Sequence, residues 1–127
     1  MIPLPFAHQT IFYQQIWELA RAVPEGKVAT YGQLSKMLPP PDGFSAADYN
    51  AFSPRWAGEA MAACPEDVPW HRIINSQGKI SHIKDAEKQR QLLEAEGLKF
   101  INDKIDLKQY QWGNEPRSEA PRQESLF

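Results

Sequence analysis

Residues 69–75 read Pro-Trp-His-Arg-Ile-Ile-Asn, or PWHRIIN. A histidine and an arginine stand directly before an apolar run, which suggests polar side chains held at the rim of a core. The residue ahead of them, Trp70, brings no nucleophile, because an indole is neutral and donates only through its N–H. The segment has the look of a working site with its reactive group missing, and its neighbours decide what it can do.

Upstream, Ser53-Pro54 places an N-cap residue before a proline at the first helical position and predicts a helix over 55–63, RWAGEAMAA. Ala57, Gly58, Ala60, Ala62 and Ala63 make that helix small enough to approach another surface closely. Further back, Thr30-Tyr31-Gly32-Gln33 reads as a capping box that opens a short helix to about Leu38. Phe12, Ile16, Leu19, Ala20 and Val23 recur at helical steps and predict a helix over 7–23, broken by Pro24-Glu25-Gly26. Between the second and third helices lies a long connection, 39–54, that begins with three prolines and offers a helical turn at Ser45. Helix, turn, short helix, connection and small-residue helix together resemble a helix-turn-helix.

Downstream, His71–Asn75 reads as extended, and Ser76-Gln77-Gly78-Lys79 as a turn into Ile80–Ile83. A helix is expected from Asp85, its cap, to Glu96, with Gly97 at the left-handed position after it. Leu98–Ile101 suits a short strand, and Leu107, Tyr110 and Trp112 are apolar anchors. From Gly113 the chain turns to GNEPRSEAPRQESLF, whose prolines and charges leave too little apolar surface to order it. The expected organisation is one domain over 1–112 and a flexible tail over 113–127.

The 127 residues suffice for one core, and 42% hydrophobic with 24% charged residues is ordinary for a globular protein. No apolar run approaches a membrane span, and the N-terminus shows no signal-peptide pattern. A single cysteine excludes an internal disulfide and a cysteine-based zinc site, which fits a reducing cytoplasm as the expected setting. Neither a metal nor a cofactor is expected. The formal charge of −2 argues against binding through a large basic field, though a locally basic groove surface is compatible with it.

Four segments in order, PEGKVATYGQL, SPRWAGEAM, PWHRIINSQGKIS and EKQRQLLEAEG, carry a resemblance to the DNA-binding domain of the alkylguanine-DNA alkyltransferases. The chain more closely resembles their alkyltransferase-like relatives, in which the cysteine of a Pro-Cys-His-Arg motif is replaced, commonly by tryptophan. The resemblance implies a mainly α, winged-helix-like domain with a helix-turn-helix and a short β-hairpin. It also implies a function without catalysis: binding the minor groove of double-stranded DNA, flipping a guanine alkylated at its exocyclic oxygen into a pocket, and leaving the alkyl group in place. The marked DNA is then expected to pass to nucleotide excision repair, with the protein acting as a monomer.

Residue by residue, Trp70 matches the alkyl-accepting cysteine, and without a thiolate direct alkyl transfer should be lost. His71 and Glu96 match the family's base and its orienting carboxylate, now a vestigial relay. Arg55 matches the arginine that fills the gap left by the flipped nucleotide, with Trp56 beside it either packing inward or widening that wedge. Tyr31 matches the tyrosine that attends the phosphate and the base, within a motif shared by Thr30, Gly32 and Gln33. Ala57, Gly58 and Met61 are expected to face the groove; Arg72, Ser76 and Lys79 to hold phosphates or brace a loop; Lys84 to reach the lesion pocket beside Tyr31, Trp70, His71 and Arg72. Cys64, near the family's hinge asparagine, reads as a structural thiol. In isolation, each of these residues also has an ordinary reading as core or solvated surface.

The tail ends Gln123-Glu124-Ser125-Leu126-Phe127, which resembles the short peptide by which bacterial repair proteins engage a sliding clamp, with Gln123, Leu126 and Phe127 as the contacts. Two alternatives from other classes stand beside the main reading. One is a hydrolase in which His71 and Glu96 activate water. The other is a helix-turn-helix regulator of an undamaged sequence, against which the small-residue helix argues, since it offers few side chains to read base edges.

Overall fold

A computed structural model describes residues 6–81 and 83–113. The tail proper, including Gln123, Leu126 and Phe127, lies outside them, as does His82. Among the described residues five α-helices and four very short strands follow in the order α1 (Phe6–Ala22), β1 (Ala29–Thr30), α2 (Tyr31–Lys36), α3 (Ala46–Ala62), β2 (Ile73–Ile74), α4 (Ala86–Ala95), β3 (Phe100–Ile101), β4 (Lys104–Ile105) and α5 (Leu107–Tyr110). The domain is mainly helical, with α2 and α3 as its helix-turn-helix and β3–β4 as a small hairpin.

Local signals explain several boundaries. The Thr30 hydroxyl accepts from Gln33 N at 3.0 Å while Thr30 N donates to Gln33 Oε1 at 3.3 Å, so the capping box at α2 is complete. At the far end of α4, Leu98 N donates to Leu93 O and Gly97 N to Glu94 O, with Gly97 at φ +97°. This is a Schellman ending, and its apolar partners Leu93 and Leu98 are both buried. Asn102 and Asp103, both at positive φ, form the tight turn that joins β3 to β4.

α3 departs from the sequence expectation. It begins at Ser45, whose side chain accepts from Asp48 N at 3.0 Å, and runs straight through Pro54. Ser53 is not a cap. It is fully buried inside the helix and donates to Ser35 Oγ at 2.9 Å, while Ser35 Oγ donates to Gly32 O and Tyr49 OH to Ser35 O. An interior proline costs a helix about 3 kcal/mol. Here Asn50, whose carbonyl loses its helical donor, is exposed, and Pro54 packs beside Gly32 of α2. The connection therefore shrinks from the expected 39–54 to 37–45.

Trp56 fills the centre of the main core. It is fully buried, with ring centroids of Phe44, Tyr49 and Phe12 at 5.2, 6.0 and 6.1 Å in edge-on arrangements. This sets the rotation of α3: Ala57, Ala60 and Met61 turn inward with Trp56, and Arg55, Glu59 and Ala62 turn out. Of its two expected places Trp56 thus takes the inward one, and the expectation that Trp56 and Ala57 contact DNA is overturned, because neither has surface to offer.

A second core joins Val28, Ile74, Leu93, Leu98 and Ile105. β1 and β2 pair in parallel, Ala29 with Ile73 and Thr30 with Ile74, across the α2–α3 crossover. On its other side β1 is flanked by the C-terminal segment, where Val28 N donates to Tyr110 O and Trp112 N to Val28 O. The PWHRI segment is thus tied by β2 to the same strand that launches Tyr31.

Candidate functional site

A cleft of about 190 Å³ opens where α2, the end of α3, the PWHR segment and the start of α4 meet. Its walls are Tyr31, Met61, Ala62, Cys64, Trp70, Asp85 and Gln89. Tyr31 is the first residue of α2, placed by the capping box, and its hydroxyl lies near the Ser81 side chain. Burial pushes its phenol above the usual range, which the Ser81 contact partly offsets, so the hydroxyl stays protonated at neutral pH.

PWHR divides its side chains between two places. Trp70–Arg72 forms a single tight turn, with Trp70 N donating to Val68 O and Arg72 N to Pro69 O. Trp70 is half-buried and walls the cleft, its ring edge-on to His71 at 6.2 Å. His71 and Arg72 instead meet Glu96. His71 Nε2 lies 2.7 Å from Glu96 Oε2, and Arg72 grips both carboxylate oxygens with Nε and the nearer with Nη2 at 2.9 Å. Arg72 Nη1 also donates to Val23 O, and Gly26 N to Glu96 Oε1. Burial alone would raise the Glu96 carboxyl, yet the donors from Arg72, His71 and Gly26 outweigh it and hold it at about 2.

Neither His71 nor Arg72 lines the cleft, so the expectation that they belong to the pocket is corrected: they brace the segment from behind. His71 is not a wall of the cleft, and its Nε2 faces Glu96, so the cleft lining lends the hydrolase alternative no support. Lys84 is exposed next to Asp85 but is not itself a wall. Ser76 and Lys79 sit on the turn after β2, and Lys79 borders a different depression with Phe100 and Arg90. The Gln33 side chain is occupied internally, donating to Trp112 O at 2.8 Å and accepting from Gln111 Nε2 at 2.7 Å.

Arg55 is exposed on α3, and its guanidinium makes no hydrogen bond or ion pair among the described residues. Gly58, one turn on, leaves open space where a Cβ would stand. Ala62 then leads to the cleft, so the outer strip of α3 is Arg55, Gly58 and Ala62, with acidic Glu59 beside it. Met61, expected on the groove face, lines the cleft instead.

Cys64, Ala62, Asp85 and Gln89 are cleft walls that the sequence reading did not assign. For Gln89 a signal existed: it lies four residues before Leu93 on the inward stripe of α4, an amide at an apolar position. Among the described residues there is no cluster of side chains fit to hold a metal, and no helix long and apolar enough to cross a membrane.

Comparison with known proteins places the chain in a family. Residues 11–98 match the family model described as 6-O-methylguanine DNA methyltransferase, DNA binding domain. A DNA base-flipping protein of Vibrio parahaemolyticus is 41% identical over 105 residues, covering 80% of this chain and 95% of its own. Alkyltransferase-like protein 1 of Schizosaccharomyces pombe is 32% identical over 111 residues, 80% of this chain and 94% of its own. The crystal structure of S. pombe Atl1 in complex with damaged DNA containing O6-carboxymethylguanine aligns with a TM-score of 0.66 at 30% identity, over 81% of this chain and 95% of that one.

Proposed function

Because this chain belongs to the family of 6-O-methylguanine DNA methyltransferase DNA-binding domains, as an alkyltransferase-like member, we propose that it recognises O6-alkylated guanine in duplex DNA without repairing it. The outer strip of α3 enters the minor groove. Arg55 inserts into the base stack, and the damaged nucleotide turns into the cleft between Tyr31 and Trp70. Flipping costs a few kcal/mol, less for a base that pairs badly, and this difference favours the lesion. The indole face offers stacking to the base and dispersion to its alkyl group.

The observation that carries the reading is the cleft wall formed by Trp70, at the position where the family's reacting cysteine is expected. A thiolate there would accept the alkyl group; an indole can only hold it. Support comes from the Arg55 guanidinium, uncommitted among the described residues, on the helix that leads to the cleft. At the start of α2, Thr30 caps the helix and Gly32 brings its backbone close to Pro54 of α3, and Lys84 adds positive charge near the cleft.

The intact complex is then a mark for nucleotide excision repair proteins. Gln123, Leu126 and Phe127 extend this proposal to a sliding clamp, which a pull-down comparing the full chain with Leu126→Ala/Phe127→Ala tests. The central experiment is a tryptophan-fluorescence titration with matched duplexes, with and without one O6-methylguanine. Tighter binding of the alkylated duplex, with the lesion recovered unchanged, is the expected result. Equal affinity for both duplexes would overturn the reading.

A further inference from the structure

Gln89 is a polar side chain that is only 2% exposed and yet borders the cleft. Its amide nitrogen is spent twice, donating to His71 O and to Ile73 O, each at 3.0 Å. Those bonds fix which way the amide points, since the reversed orientation would set an oxygen against two carbonyl oxygens. Oε1 is therefore the end that remains, and it meets no donor among the described residues. A buried amide acceptor ordinarily has a partner.

We propose that Gln89 is a specificity residue of the cleft, its Oε1 accepting a hydrogen bond from the exocyclic amine of the flipped alkylguanine. The inference rests on the function proposed above. Its chemistry is restrictive. Alkylation at O6 removes the ring N1 hydrogen, so the amine supplies the only N–H donors left on the base. An acceptor in the wall discriminates in favour of alkylated purines that carry this amine and against those that lack it. Through its nitrogen the same side chain positions the backbone on either side of Arg72, so that Trp70 and the acceptor are held by one residue.

The test is a ratio of affinities, which cancels any general loss of binding. Duplexes containing O6-methylguanine, O6-methylhypoxanthine (the same base without the amine) and guanine are titrated against the full chain, Gln89→Met and Gln89→Lys. Gln89→Met removes donor and acceptor together. Gln89→Lys keeps donors for the two carbonyls and removes only the acceptor. The native protein should bind O6-methylguanine about tenfold tighter than O6-methylhypoxanthine, the value of one hydrogen bond. Either folded variant should narrow that ratio to within about twofold. A variant that keeps the native ratio, or a native protein blind to the amine, overturns the role of Gln89 while lesion recognition stands. A native protein that binds guanine as well as O6-methylguanine takes down both.

Discussion

Glu96 Oε2 lies 2.7 Å from His71 Nε2, and the same carboxylate is held by Arg72 and by the Gly26 backbone. A pair that could relay protons is here the centre of a brace. It ties the end of α4, the turn after α1 and the PWHR segment to one point, with both side chains largely withdrawn from solvent. Mobility in any of the three segments would shift Trp70, so the brace sustains the cleft without taking part in it.

The brace carries a pH signature. The Glu96 carboxyl sits at about 2 in the folded protein against an ordinary value of 4.5. A depressed carboxylate contributes stability that is fully present above pH 4.5 and is lost as pH falls from there through about 2. The shift corresponds to roughly 3 kcal/mol at most. Denaturant melts between pH 7 and pH 2.5 should show the native protein losing stability below about pH 4.5. Glu96→Gln should be less stable at pH 7 and should lose much of that slope. An identical pH profile for the variant would remove Glu96 from this role.

Trp56 gives a test of the core. It is enclosed by Phe12, Phe44 and Tyr49, so truncation leaves a large cavity. Trp56→Ala should cost about 3–5 kcal/mol, and Trp56→Phe less. Equilibrium denaturation measures both. If Trp56 instead widened a wedge in the DNA, as its place beside Arg55 suggested, the loss would fall on affinity and spare stability.

These two sites also mark where sequence was a sufficient guide and where it was not. The capping box at Thr30 and the glycine ending at Gly97 were legible because each is settled by residues within a few positions of one another. Ser53-Pro54 sent the same kind of local signal and failed, because tertiary contacts decided the matter: Ser53 is buried against Ser35, and a stronger start lay at Ser45. The rotation of α3 depended on one choice, whether Trp56 points in, and a small-residue helix has no apolar stripe to settle it. Trp70 and Tyr31 were found through resemblance, whereas Gln89 depends on backbone carbonyls 16 and 18 residues away in sequence, which only the folded chain brings to it.

Arg55 should separate binding from folding. Its side chain is exposed and uncommitted among the described residues, so Arg55→Ala should change stability by no more than about 0.5 kcal/mol. If the guanidinium fills the gap in the stack, the same change should weaken binding to alkylated duplex by roughly 2 kcal/mol, about thirtyfold. Arg55→Lys should recover only part of this, because an ammonium lacks the planar face that stacks between bases. Unchanged affinity in Arg55→Ala would place the DNA elsewhere on the molecule.

Cys64 makes the claim of recognition without reaction testable in its strictest form. It is the chain's single thiol, and it lines the same cleft as Trp70. Reaction would need a thiolate, but burial pushes the Cys64 thiol up from its ordinary value, with Asp67 adding to the effect and Arg21 opposing it. The thiol should therefore stay protonated and inert at neutral pH. After prolonged incubation with O6-methylguanine duplex, intact-protein mass spectrometry should show no added methyl group, and the DNA should keep its lesion. Cys64→Ala should bind that duplex within about threefold of the native protein, since it removes a small wall group and no partnered charge. A methyl group found on Cys64 would mean that the reacting sulfur had moved across the cleft rather than been lost.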